Sequence, residues 1–184
     1  MARGPFYWNQ IERLIECKFH EAAGFTPEEF QRLVPEPKKE GLLVVSETCL
    51  NIPFQSELLD VGEGFMLFDR CNLNDHHNLY PVQRGLLYWI YGVDDGRATL
   101  KLSHDAAIAL FEKQGRRPCV TVEVLVAHSI DAAGSRIGEN LMPGLCLADD
   151  KSSRKNPCPK LKIFMASRPH DNGFERWGAA SCEA

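Results

Sequence analysis

The 184 residues carry 44% hydrophobic and 25% charged side chains, an ordinary globular composition that sets aside chain-wide disorder. A chain of this length can bury a sizeable core without disulfides or structural metals, so a single domain over 1–184 is expected. The net charge of −4, with no long basic run, argues against nucleic acid as a partner, and no stretch approaches the roughly 18 apolar residues of a membrane helix.

The N-terminal "MARGPFYWNQIERLIECKF" lacks the continuous apolar core of a secretory signal, so a cytoplasmic chain is expected. Seven cysteines are an odd, scattered set rather than a disulfide framework, and reduced thiols are expected. Cys17, Cys49, Cys119 and Cys146 sit beside aliphatic or β-branched neighbours and read as small core residues.

In chain order, Trp8, Ile11, Leu14, Ile15 and Phe19 recur at helical spacing, and Gly24 is expected to end that helix. "TPEEFQRLV" opens a second helix: Thr26 as N-cap, Pro27 at the first helical position and Glu29 completing a capping box. Phe30, Leu33 and Val34 supply its apolar face. "PEPKKEG" then links this helical segment, 1–36, to a sheet-containing body over 41–184.

From Gly41 the period changes. "GLLVVSE" and "GEGFMLFD" are strand candidates, separated by "TCLNIPFQSELL", which reads as loop. "GLLYWIYGV" and "RATLKL" flank the turn "DDG" as a hairpin, with Gly96 able to take positive φ. "SHDAAIALFEKQG" is a helix with Ser103 as cap and Gly115 past its last turn. "RRPCVTVEVLVAHSI" supports strand through its β-branched content and helix through Thr121 and Glu123. "AAGSRIGEN" is loop, and "LMPGLCLA" and "KLKIFMAS" are short strand candidates. The expected fold is α+β: an N-terminal helical pair on a mixed or antiparallel sheet, with one or two further helices.

The run "LYWIYGVDDGRATLKLSHDAAIALFEKQGRRPCVTVE" resembles a bacterial family of domains of unknown function. The resemblance rests on Val93, Asp94, Gly96, Ala98, Thr99, Leu100, Ser103, Asp105, Gly115, Arg116 and Pro118. The ending resembles that family too, through Pro159, Lys160, Leu161, Trp177, Ala180, Ser181 and Cys182. Val124 stands where that family more often carries an acid, and the loop "DDKSSRKNPC" also differs. The resemblance covers roughly the last hundred residues and implies a fold but no catalytic role. It turns 119–130 toward helix, with Thr121 as its cap.

Two groups of residues invite chemistry. "NDHHN" contains an Asp-His-His triplet of the kind that holds divalent metals in phosphoesterases. It lacks the preceding buried strand and a companion Asp-x-Asp, and adjacent histidines on extended backbone point to opposite faces. It therefore reads as a polar connection. Asp75 and His77 are the residues that would hold an ion, His76 lies beside them, and neither metal nor cofactor is expected. No Cys-x-x-Cys supports zinc, "GEG" lacks the order of a dinucleotide loop, and "KSSRK" reads as a solvated loop.

The C-terminal "SRPHDNGFERWGAASC" gathers Arg168, His170, Asp171, Asn172, Trp177, Ser181 and Cys182. It reads as a polar pocket with a tryptophan wall, in which Arg168, His170, Asn172 and Trp177 would hold a small ligand or a partner peptide. A thiolate at Cys182 activated by His170 is the rival, catalytic reading, although no nucleophile elbow or glycine-rich oxyanion turn accompanies it. A third reading places Phe6, Tyr7 and Trp8 on a helix that covers its own core or joins two protomers. The leading expectation is a non-catalytic domain that binds a small ligand or a protein partner. The alternatives are a Cys/His-dependent hydrolase or transferase and a structural subunit of a homo-oligomer.

Overall fold

In the computed structural model, the described residues are 4–58, 66–68, 85–94, 99, 102, 104–120, 122–126, 160–162 and 180–184. The fold is α+β. The chain divides into two compact units whose segments alternate along the sequence: Met1–Asp60, Leu73–Tyr91 and Val120–Gly138 form one, and Val61–Asn72, Gly92–Cys119 and Glu139–Ala184 the other.

The first unit opens with α1 (Pro5–Glu16), α2 (Phe19–Ala22) and α3 (Pro27–Leu33). The first helix stops earlier than the periodicity predicts. Cys17 caps it, and Lys18 takes a left-handed conformation at φ +65° before α2 begins. Gly24, at φ +80°, ends α2 instead. The buried stripe of α1 is Tyr7, Gln10, Ile11 and Leu14, so Trp8 lies on its shoulder and a glutamine lies inside. α3 forms as expected: Thr26 accepts from the Glu29 N–H, and the Glu29 carboxylate accepts from the Thr26 N–H. Its Phe30 is fully buried and Val34 nearly so, whereas Leu33 stays exposed.

β1 (Leu42–Val45) is buried along its whole length, as a continuous apolar run implies. It pairs antiparallel with β3 (Leu87–Ile90), from Leu42 opposite Ile90 to Val45 opposite Leu87. Gly41 leads into β1 because a Cβ there would meet the Ile90 carbonyl oxygen at 2.5 Å and the Tyr91 ring at 2.7 Å. Between the two strands, the stretch expected to be loop holds α4 (Ile52–Glu57), capped by Asn51, whose Oδ1 accepts from the Phe54 N–H. A helical turn over 122–126, α6, completes this unit, with Val122, Leu125 and Val126 buried.

In the second unit, β2 (Met66–Phe68) pairs parallel with β5 (Lys160–Lys162). α5 (His104–Lys113) buries Ala107 and Phe111, four residues apart on one face. Gly115 at φ +66° turns the chain into β4 (Arg116–Pro118), which pairs antiparallel with β6 (Ser181–Glu183). Asp94 forms an antiparallel bridge with Ser181 on the other side of β6. Thr99 lies in a 3₁₀ turn whose carbonyl accepts from the Leu102 N–H, so the strand expected over 97–102 does not run through Thr99. The strand–helix ambiguity after Gly115 resolves into both, a strand over Arg116–Pro118 and a helix over 122–126. Thr121 itself, its expected cap, lies outside the described residues, as do Gly96, "AAGSRIGEN" and "LMPGLCLA".

Candidate functional site

Arg168, His170, Asn172 and Trp177 lie outside the described residues, as do Asp75, His76 and His77. Of the catalytic pair, Cys182 is described: it sits within β6 with no exposed surface. Attack by its thiol on a bulky substrate would require β6 to move. The remaining candidates form two places, one in each unit.

In the first unit, Trp89 of β3 anchors the aromatic residues of α1. Its indole N–H donates to the Pro35 carbonyl at 2.7 Å. Tyr7 stacks on Trp89 with ring centroids 5.8 Å apart, and Phe6 meets it edge-on at 6.0 Å. Trp8 stands edge-on to Tyr7 at 5.0 Å and 86°, with 37% of its surface exposed. Phe6 and Tyr7 thus cover their own core. Trp8 is held by that core and faces outward.

Several polar groups buried in this unit are committed to the backbone or to each other, whereas His20 Nδ1 and Gln55 Oε1 have no hydrogen-bond partner among the described residues. Gln10 donates to the Gly41 carbonyl and accepts from the Leu43 N–H, both at 2.8 Å. Gln55, fully buried, donates to the carbonyls of Val45 and Leu50. Glu123 accepts from the Val120 N–H at 2.8 Å and from the Tyr88 hydroxyl at 3.2 Å. His20 is buried and meets the Phe30 ring edge-on. Burial pushes the Cys49 thiol above its ordinary pKa, which disfavours its nucleophilic form.

In the second unit, the β4–β6 ribbon sorts its residues by face. Arg117 opposes Cys182 and Pro118 opposes Ser181, and the ladder continues where the Cys119 N–H donates to the Ala180 carbonyl at 2.9 Å. Alternation along each strand places Arg117, Cys119, Ala180 and Cys182 on one face. Arg116 works on the other: its Nε donates to the Ser181 hydroxyl, and its Nη2 to the carbonyls of Ser181 and Gly92. Cys119 and Cys182 are diagonal neighbours, both thiols, with Sγ atoms within 4.8 Å of one another. Cys119 is half-buried and Cys182 fully so.

The sequence gives no local sign of this pair. "RRPC" and "ASCE" are far apart in the chain, and only the strand register brings the sulfurs together. No known protein family, curated protein or solved structure matches this chain.

Proposed function

We propose that the chain is a non-catalytic binding domain and that the aromatic end of α1 is its protein-contact surface. The observation that carries this reading is Trp8, 37% exposed yet braced against Tyr7. Tryptophan supplies a large contact area with few rotatable bonds and is enriched where binding energy concentrates. The Tyr7–Trp89 stack beneath it fixes the indole before any partner arrives, which lowers the ordering cost of association. The exposed large apolar side chains among the described residues, Trp8, Leu33, Phe54 and Leu86, all belong to this same unit.

The first partner to test is a second copy of the chain, since a helix face can meet its own image across a two-fold axis. Light scattering over a concentration series is expected to show mass rising with concentration. Trp8→Ala should weaken that association about 30-fold or more, the range of a hot-spot residue. Acrylamide quenching of Trp8, read as wild type minus Trp8→Phe, should fall over the same range. A constant mass with undiminished quenching would rule out self-association through this face.

A further inference from the structure

We propose that Cys119 and Cys182 form a binding site for a soft, thiol-seeking monovalent cation, with Cu(I) as the ion of choice. Zinc–thiolate bonds are about 2.3 Å long, and with bonds of that order two sulfurs on one ion stand at most about 4.6 Å apart, in the linear arrangement. The two Sγ atoms lie within 4.8 Å of one another, close to that span.

The ribbon geometry favours a bridging ion over a disulfide. A disulfide needs sulfurs about 2.05 Å apart and Cα atoms no more than about 6.8 Å apart. Diagonal neighbours on one face of an antiparallel pair are about 7–8 Å apart. Closing the bond would pull β4 and β6 out of a register that is held by the Cys119–Ala180 hydrogen bond and by the Arg116 contacts to Ser181. An ion between the sulfurs leaves that register intact.

Charge also fits. Cu(I) binding to two thiols releases two protons and leaves a bis-thiolate complex of net charge −1, with no change of oxidation state. Arg117 stands directly opposite Cys182 on the same face, with its Nη1 donating to the Pro118 carbonyl at 3.1 Å. Soft thiolates select Cu(I) over the harder divalent ions, and this ion is satisfied by two ligands. The half-buried Cys119 gives the ion its way in, and Cys182 lies behind it.

The test is an anaerobic titration of the full chain against a chromophoric Cu(I) chelator, bathocuproine disulfonate. Wild type should withdraw one Cu(I) more than Cys119→Ser or Cys182→Ala. A chain with Cys17, Cys49, Cys71, Cys146 and Cys158 all changed to Ser should keep that equivalent. Because Cys182→Ala alters a buried strand, a second measurement uses the wild-type chain alone. Cu(I) should slow alkylation of Cys119 by N-ethylmaleimide at least tenfold. Equal uptake by wild type and Cys119→Ser would overturn the proposal, as would alkylation of Cys119 at an unchanged rate.

Discussion

Glu29 shows how much a single side chain can settle. Its carboxyl is held below the usual carboxylate range by the Thr26 backbone N–H, then by the Thr26 hydroxyl, against an opposing desolvation cost that exceeds the further lowering by Arg32. A carboxylate whose pKa is lowered on folding stabilises the fold above its unfolded value. That contribution disappears as pH falls through the folded one. Glu29→Gln keeps an acceptor for the Thr26 N–H but removes the charge. The wild type is therefore expected to melt higher than Glu29→Gln at neutral pH, with the gap closing in acid, below the ordinary carboxylate value of 4.5. A gap in melting temperature that stays constant with pH would show that the charge plays no part. This cap is legible in the sequence because Thr26, Pro27 and Glu29 carry the whole signal within four residues. The left-handed Lys18 is not legible, because nothing in the type of that residue announces positive φ.

At the scale of elements, β1 has, among the described residues, one strand partner and one edge met by side chains. β3 takes one side. On the other, Gln10 of α1 satisfies Gly41 and Leu43, and Gln55 of α4 satisfies Val45. Two glutamine amides thus stand where a further strand would otherwise pair, which closes an edge that could recruit another chain. Gln10→Ala would leave the Gly41 carbonyl and the buried Leu43 N–H without that partner, at a cost of about 2 kcal/mol. Gln10→Glu, nearly isosteric, should also destabilise, since an ionised carboxylate offers the Gly41 carbonyl an acceptor in place of a donor. Urea unfolding checks both: the midpoint should drop with the slope unchanged. Destabilisation by Ala with none by Glu would show that packing, and not the amide, holds this edge. The apolar run of β1 makes the strand legible, but its edge partners are not, because a glutamine on a helix reads as solvent-facing. α4 is missed for a related reason. Six residues are too short for periodicity to show, although Asn51 ahead of Ile52 and Pro53 is a helix-start signal.

At the scale of the molecule, the chain passes back and forth between its units at 60, 72, 91, 119 and 138, so sequence order alone does not mark them. The expectation of a helical segment over 1–36 followed by a body reflects composition, whereas the burial in the first unit depends on segments that are distant in sequence. Leu42 to Val45 face four partners from β3, and the Ser46 N–H extends that ladder to the Leu86 carbonyl. Tyr7 lies on Trp89, and Tyr88 reaches Glu123 beside the buried Val122, Leu125 and Val126. A fragment of residues 1–60 holds all of α1 to α4 and β1 yet lacks every one of these partners. A buried aliphatic side chain of β1 is worth about 1.5–3 kcal/mol, comparable in sum to the whole stability of a domain, about 5–15 kcal/mol. Short helices gain most of their stability from tertiary packing. The 1–60 fragment is therefore expected to show weak helical circular dichroism and no cooperative thermal transition, despite its intact capping box. A cooperative transition near that of the full chain would mean that the helices and β1 form a self-sufficient core and that β3 only covers it.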